Sequence, residues 1–265
     1  MDKPNITYAL EGAVALIGLD RPAKRNALND AVIEDLRAAV LRAAAEAKAG
    51  VIFGHGGHFS AGLDLAEHAE RSPIAGIHHS RKWHAIFDHI ERGPIPFVAA
   101  LTGAVIGGGM ELAAATHVRV AEEGAFFALP EGQRGIFVGG GGSVRVARLI
   151  SPARMADMML TGRVLSTAEA EVANFVQYVT APGEALAQAK TLAARIAENA
   201  PLSNFAITNA LPRMQDLSHD DGLFFEALMA ALTQTTPEAV AGLRAFLDKR
   251  SERLAPPPDA KGARD

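Results

Sequence analysis

The stretch "AVIGGGMELAA" (Ala104–Ala114) places three consecutive glycines before an apolar segment with the pattern of a helix, and a single acid, Glu111, lies just inside it. A glycine triplet costs backbone entropy and weakens any helix that it touches. A carboxylate among Met, Leu and Ala must be solvated, partnered or kept protonated. Both features would be explained if a ligand had to approach the backbone here, because a side chain would block it.

A second glycine turn, "GHFSAGLDL" (Gly57–Leu65), has the same placement: it follows an apolar strand pattern and precedes a helical one. Unpaired N–H groups at a helix N-terminus attract an anion. Two such turns aimed at one point would form an oxyanion hole. Taken singly, each turn is equally typical of tight packing between a strand and a helix.

Two acids stand in apolar surroundings, Glu111 and Glu131, the latter within "FFALPEGQ" (residues 126–133). Pro130 indicates a helix start, so Glu131 could be a first-turn residue favoured by the helix dipole. Glu111 could be a buried structural acid. Position alone leaves the structural and the functional interpretation of each acid even, and their combination with the two glycine turns favours function.

Composition excludes several classes of site. The chain has 265 residues, no cysteine and a formal net charge of −4. Without cysteine there are no disulfides, thiolate zinc sites or cysteine nucleophiles. The net charge gives no general affinity for nucleic acid or for an anionic membrane. The N-terminus lacks a signal-peptide layout and no apolar stretch is long enough to span a bilayer, so a cytoplasmic location is expected.

Other motifs are incomplete. The histidines of "HGGH" (residues 55–58) and "HHSRKWH" (residues 78–84) lack a recognised ligand spacing, so loop and helix-surface roles are favoured and no metal is expected. Neither glycine run completes GxGxxG, and GxxxxGK[ST] is absent. Ser60 and Ser143 both miss the GxSxG frame of a nucleophile elbow.

The order of patterns predicts an α/β core with a helical appendage. Alternating segments on either side of Glu11 and Gly12 predict a hairpin, and Asn29 or Asp30 is the expected N-cap of a helix over residues 31–49. A short helix is expected after Leu65. The composition shifts near Pro201, which predicts a core over residues 1–198, helices over 199–253 and a disordered tail over 254–265.

The ordered set of motifs resembles the crotonase superfamily, also called the enoyl-CoA hydratase/isomerase family. The matching segments are "RPAKRNALN" (21–29), "GHFSAGLDL" (57–65), "ALTGAVIGGGMELAAATHVRVA" (100–121), "FALPEGQRGIFVGGGGSVRVARLI" (127–150) and "AFLDKR" (245–250). The resemblance implies an α/β fold: a crotonase-like spiral of ββα units with a C-terminal helical trimerisation region. It also implies a homotrimer or a dimer of trimers, an acyl-CoA thioester substrate, and no separate cofactor, since CoA is part of the substrate.

The resemblance also implies site residues. The oxyanion N–H groups would come from Leu63 and Gly108, and the catalytic acids would be Glu111 and Glu131. Lys24 and Arg25 would lie near the CoA nucleotide, while Lys249 would reach the CoA of a neighbouring subunit. The full set implied for substrate and CoA is Lys24, Arg25, Ala61, Gly62, Asp64, Leu65, Gly107 and Lys249.

The activity implied is that of an enoyl-CoA hydratase, which adds water reversibly across the 2,3 double bond of a 2-enoyl-CoA. The alternatives on the same scaffold are an isomerase, a decarboxylase, a thioester hydrolase, a dehalogenase or a lyase. A non-catalytic or RNA-binding relative is less favoured because the chain is acidic overall. Three positions depart from the family pattern: Leu63 is bulkier than the usual Ala, "FVGGGGS" replaces a Pro-containing run, and Ala230 stands where an aromatic residue is common.

Overall fold

The computed structural model of the chain describes residues 4–65 and 72–248. Within these ranges the strands form one sheet of six and one of three. The strands are β1 (Ile6–Glu11), β2 (Val14–Leu19), β3 (Ala49–Gly54), β4 (Phe97–Leu101), β5 (Ala104–Ile106), β6 (Val118–Glu122), β7 (Phe126–Ala128), β8 (Val164–Ser166) and β9 (Tyr178–Thr180). The helices are α1 (Asp30–Glu46), α2 (Pro73–Glu91), α3 (Gly108–Ala115), α4 (Gly142–Ile150), α5 (Pro152–Thr161), α6 (Thr167–Val172), α7 (Ala185–Glu198), α8 (Pro201–Phe205), α9 (Leu211–Met214), α10 (His219–Thr233) and α11 (Pro237–Leu247).

The larger sheet has the strand order β1-β2-β3-β4-β6-β9. β1 and β2 pair antiparallel as the predicted hairpin, with Ile6 opposite Leu19. Every later neighbour in this sheet is parallel. In the smaller sheet, β7 pairs parallel with β5 and antiparallel with β8. Because helices connect the parallel strands, the predicted α/β class is confirmed.

Alternate residues of β2 contribute to two separate cores. Ala15, Ile17 and Leu19 belong to the larger core, which also holds the apolar faces of α1, α2 and α3. Val14 and Leu16 point to the other face, as the two-residue period of a strand requires. There α7 covers β2, β3, β4 and β6 with four alanines at a spacing of four residues, namely Ala185, Ala189, Ala193 and Ala197.

The helix boundaries follow the local capping signals. Asn29 is the N-cap of α1, and its side chain accepts a hydrogen bond from Val32 N at 2.9 Å. The helix ends at Glu46, three residues before the predicted end. The sequence did not predict β8, which has only three residues. Its last residue, Ser166, is already the N-cap of α6 and forms a capping box with Glu169. The short helix expected after Leu65 falls in residues 66–71, outside the described part of the chain.

The chain divides into two compact units, residues 1–209 and 210–265. In the described part of the second unit, α9, α10 and α11 contain no buried side chain. Its apolar residues Phe224, Leu243, Phe246 and Leu247 are all more than half exposed. The domain boundary drawn after residue 198 stays a prediction, and the tail at 254–265 lies outside the described residues. None of the helices described has both the length and the hydropathy that crossing a bilayer requires.

A partly buried histidine links the end of α2 to β4. His117 Nδ1 accepts a hydrogen bond from Phe97 N at 2.9 Å, and Nε2 lies 3.1 Å from the Glu91 carbonyl oxygen. Burial lowers the pKa of His117 to about 4, from an ordinary value of 6.5. The folded chain therefore holds this ring neutral at pH values where the unfolded chain would protonate it.

We expect His117 to lower the free energy of unfolding by up to about 3 kcal/mol as pH drops from 6.5 towards 4. The unfolded chain binds the extra proton in this window, so acid favours unfolding. Urea unfolding across this range measures the slope, which His117→Gln should reduce. Glu131 contributes a slope of opposite sign because folding raises its pKa, so the comparison is between variant and wild type. The exposed His219→Gln is the control, and an unchanged slope in His117→Gln would contradict the assignment.

Candidate active site

The two glycine turns meet backbone to backbone. Gly62 has φ +84°, and a Cβ placed on it would lie 2.5 Å from Ile106 O and 3.1 Å from Gly108 N. A Cβ on Gly108 would lie 3.6 Å from Leu63 N. The amides of Leu63 and Gly108 are therefore near neighbours. In residues 4–65 and 72–248, neither of these N–H groups donates a hydrogen bond to the protein.

The other two glycines of the triplet, Gly107 and Gly109, also lie where a side chain would meet a close neighbour. Gly107 has φ +51°, and a Cβ on it would lie 2.7 Å from Glu131 Oε1. A Cβ on Gly109 would lie 2.6 Å from Ser60 O. Each glycine thus admits a different neighbour: Glu131 at Gly107, the Trp83 ring at Gly108, and the backbone of the first turn at Gly109. The cost of three glycines at a helix start is explained by three close approaches.

Ser60 joins the first turn to its surroundings. Its N–H donates to Ala104 O at 2.9 Å, and its carbonyl accepts from Ile106 N at 3.0 Å, so the first turn pairs with β5. Its hydroxyl donates to Asn26 O at 2.8 Å and accepts from Gly62 N at 3.1 Å. One buried side chain therefore fixes the turn that presents Leu63 N.

Glu111 is buried on the first turn of α3. Its Oε1 accepts hydrogen bonds from Gly140 N at 2.8 Å and from Gly142 N at 2.7 Å. Burial raises the pKa of this carboxyl, while the backbone donors, Gly142 first, and the charge of Arg145 oppose the rise. The site therefore supplies donors that favour the ionised form of Glu111 despite its burial.

Glu131 has a different environment. It is buried and directly precedes a short 3-10 helix, Gly132–Arg134, where the sequence predicted a helix start. Among the described residues, its Oε2 has no hydrogen-bond partner. Burial, with a contribution from the nearby charge of Glu111, raises the pKa of Glu131 to about 7. The charges of the two acids are thus close enough to interact, and burial raises the pKa of both, while at Glu111 the backbone donors of the glycine loop oppose that rise.

The residues that carry both amides and both acids line one cavity of about 440 Å³. The volume suits a small-molecule substrate. Trp83 of α2 is an apolar part of its wall and packs edge to face on Phe87, with ring centroids 5.9 Å apart. The remaining lining residues are Ala61, Gly62, Leu65, Ser72, Pro73, Gly76, His79, Ser80, Gly107, Arg134, Ile136, Phe137, Val138, Gly139 and Gly140.

The cationic loop that was predicted to meet the CoA nucleotide lies beside the first turn. Lys24 Nζ and Arg21 Nη2 lie 3.0 Å and 3.1 Å from Asp64 Oδ2, and Asp64 is buried. Arg25 is exposed, and its carbonyl accepts from Ala61 N at 2.9 Å. Four of the predicted substrate residues line the cavity, namely Ala61, Gly62, Leu65 and Gly107. Three others, Lys24, Arg25 and Asp64, are not part of its lining. Lys249 lies outside the described residues.

The sequence interpretation missed the α2 side of the cavity. His79, Ser80 and Trp83 line it, yet in the sequence they look like ordinary positions of an amphipathic helix. It also missed that Gly140 and Gly142 donate hydrogen bonds to Glu111, because the run "GGGG" (139–142) was interpreted as an incomplete GxGxxG motif and as a departure from a family pattern. A signal was present, since four glycines before a helix expose backbone donors.

The fold and the site define an α/β protein whose cavity combines two adjacent backbone donors with two buried acids. The chain belongs to the enoyl-CoA hydratase/isomerase family, whose sequence profile matches residues 9–255. The resemblance to the crotonase superfamily is thereby confirmed. This family acts on acyl-CoA substrates.

Similar proteins cover almost the whole chain. The 2,3-dehydroadipyl-CoA hydratase of Escherichia coli (strain K12) is 34% identical over 251 residues, which are 94% of this chain and 95% of that protein. A crystal structure of a "putative enoyl-CoA hydratase" from Rhodopseudomonas palustris CGA009 is 52% identical, with a TM-score of 0.90 and coverage of 93% and 95%. The enoyl-CoA hydratase structure from Bacillus anthracis is 29% identical, with a TM-score of 0.87 and coverage of 94% and 98%.

Proposed function

We propose that the chain is an enoyl-CoA hydratase that adds water reversibly across the 2,3 double bond of a 2-enoyl-CoA. The observation that carries this proposal is the pair of buried acids, Glu111 and Glu131, beside two amides that have no acceptor among the described residues. Hydration needs one group to take a proton from water and another to give a proton to carbon. The names of the similar proteins support the same reaction.

The two amides polarise the thioester. Leu63 N–H and Gly108 N–H donate to the thioester oxygen, where negative charge develops as water adds to the β-carbon and an enolate forms. Because these donors are fixed before the reaction, they stabilise that charge without reorganising. The apolar wall around Trp83 keeps competing water away from the same oxygen.

The two acids take different roles. Glu111 is the base: its Oε1 is held by two backbone donors, which favour the carboxylate, and it takes the proton from water. Glu131 is the acid. With a pKa of about 7 it is protonated in a large fraction of the protein molecules at neutral pH, and it gives this proton to the α-carbon. In dehydration the two roles reverse. Because the charge of Glu111 helps to raise the pKa of Glu131, the pair favours a state in which one of the two acids is protonated.

The rest of the proposal concerns binding and assembly. Lys24 and Arg25, together with Lys249 of a neighbouring subunit, bind the CoA nucleotide, and CoA enters only as part of the substrate. The larger unit is a spiral of ββα units, and helices after residue 198 assemble a homotrimer or a dimer of trimers. The exposed apolar residues of α10 and α11 support this assembly. The proposed location is the cytoplasm.

The test is a panel of 2-enoyl-CoA and 3-hydroxyacyl-CoA thioesters, followed by the absorbance of the conjugated thioester. We expect loss of absorbance with enoyl-CoAs, and kcat/KM for hydration should fall as pH rises through about 7, because Glu131 loses its proton there. Isomerised, decarboxylated, dehalogenated or cleaved products would instead assign another reaction of the family. No turnover of any thioester in the panel would contradict the proposal.

A further inference from the structure

Arg145 of α4 is a buried cation that links three parts of the site. Its Nε donates to Glu91 Oε2 at 2.7 Å, and its Nη2 donates to Asp88 Oδ1. Its Nη1 donates to Gly140 O at 3.1 Å. The Arg145 side chain is only 7% exposed, whereas the side chains of Asp88 and Glu91 are 47% and 26% exposed. The guanidinium therefore fastens the glycine loop before α4 to two acids on α2.

The peptide units on either side of Gly140 connect this contact to Glu111. The carbonyl of Gly140 accepts from Arg145, and the N–H of the same residue donates to Glu111 Oε1. The next carbonyl back, Gly139 O, accepts from the hydroxyl of Ser80 on α2. The loop that holds Glu111 is thus fixed by its carbonyls while its amides face the carboxylate. Glycine residues alone would leave such a loop conformationally free.

We propose that Arg145 is a positioning residue for the reaction: it fixes the Gly140 peptide so that the loop amides hold the Glu111 carboxylate in its reactive orientation. The inference rests on the proposed function, since it assigns Glu111 a role in turnover. Arg145 is not among the residues that line the cavity, so the proposal gives it no contact with the reacting atoms. It acts through Gly140, with Asp88 and Glu91 setting the direction of its guanidinium.

The charges around this arrangement determine what a variant would change. Glu111 is faced by Arg145 from α4 and by Glu131 from the segment after β7. Arg145 is faced by Asp88 and Glu91 from α2. His84, also of α2, lies next to Gly141. Removing the guanidinium charge therefore removes a cation that opposes protonation of Glu111, besides freeing the loop.

The experiment compares Arg145→Gln and Arg145→Lys with wild type, using Arg148→Gln as the matched control. Arg148 lies on the same helix and is exposed. We expect kcat for enoyl-CoA hydration to fall about 10²-fold in Arg145→Gln with KM within about threefold, because misplacing a catalytic group affects turnover more than binding. Arg145→Lys keeps the charge but loses the fork of donors, so its kcat should stay at least about tenfold low.

A second readout does not depend on activity. Carbon-13 NMR of labelled glutamate carboxyls, assigned with Glu111→Gln, follows the titration of Glu111 directly. We expect the pKa of Glu111 to rise in Arg145→Gln and to stay nearer the wild-type value in Arg145→Lys. A role limited to fold stability would change the melting temperature and leave the pKa and kcat of the folded protein as they are.

Three outcomes would overturn the inference. The first is a kcat in both Arg145 variants within about threefold of that of Arg148→Gln. The second is a rise in KM with kcat unchanged. The third is a pKa of Glu111 in Arg145→Gln that equals the wild-type value. If wild type turns over no thioester while the titration of Glu111 still shifts, the proposed function fails and the hold of Arg145 on Glu111 stands. If Arg145→Gln does not fold, Arg145→Lys decides the question by the same measurements.

Discussion

Glu131→Gln should lower kcat for hydration of a 2-enoyl-CoA by about 10²–10⁴-fold, the usual contribution of a general acid. The amide has nearly the shape of the acid but has no proton of suitable acidity for the α-carbon. Glu131 also lies against Gly107, so a larger substitute would disturb the turn that leads to the oxyanion donors. The measurement is steady-state hydration alongside calorimetric binding of a saturated acyl-CoA.

Binding should persist in Glu131→Gln, since the donors and the apolar wall are untouched. The matched control is Glu123→Gln, an exposed acid in the turn between β6 and β7, which should hydrate like wild type. Glu111→Gln should be similarly inactive, because its side chain can no longer accept the proton from water. Normal turnover in either the Glu111 or the Glu131 variant would remove that residue from the mechanism.

Gly108→Ala should lower kcat/KM by about 10²–10³-fold, the size of effect expected for losing one oxyanion donor, because the added methyl keeps the substrate from reaching the N–H that alanine retains. The added methyl would lie 3.6 Å from Leu63 N and 3.0 Å from Trp83 Cζ3, and so would occupy the place proposed for the thioester oxygen. Gly108 is the first residue of α3, where alanine is a good helix former, so the variant should fold. The measurement is kcat/KM with the best thioester of the panel.

The contrast variant for Gly108→Ala is Leu63→Ala, which shortens a side chain and keeps the N–H that matters. It should change the preference among acyl chains and cost far less in rate than Gly108→Ala does. Circular dichroism and melting curves of both variants show whether a loss of activity comes from a blocked oxyanion site or from a loss of folding. If Leu63→Ala proved as inactive as Gly108→Ala, the donors would not be the backbone amides.

Local pattern was enough to predict the parts of the site that depend on the backbone. The triplet at 107–109 and the turn at Gly62 indicated close approach of backbone to something else, and each glycine has such a neighbour in the structure. Asn29 before α1 and the hairpin around Gly12 were predictable for the same reason, since capping and turn chemistry act over a few residues.

Contacts between distant segments were not predictable in this way. The hold of Gly140 and Gly142 on Glu111 spans about thirty residues, and nothing local to either segment requires it. Trp83 faces the cavity, but on an amphipathic helix an aromatic that lines a site has the same spacing as one that fills a core. β8 was missed because three residues carry too little alternation, and among the described strands it pairs with β7 alone.

The central claim is that Leu63 N–H and Gly108 N–H donate to the same thioester oxygen. A crystal structure with a non-reactive acyl-CoA bound tests it most directly. The predicted result places that oxygen within about 2.7–3.1 Å of both nitrogens, with the α- and β-carbons between Glu111 and Glu131. An acyl-CoA bound with its thioester oxygen on neither amide, or with both acids turned away from the acyl group, would contradict it.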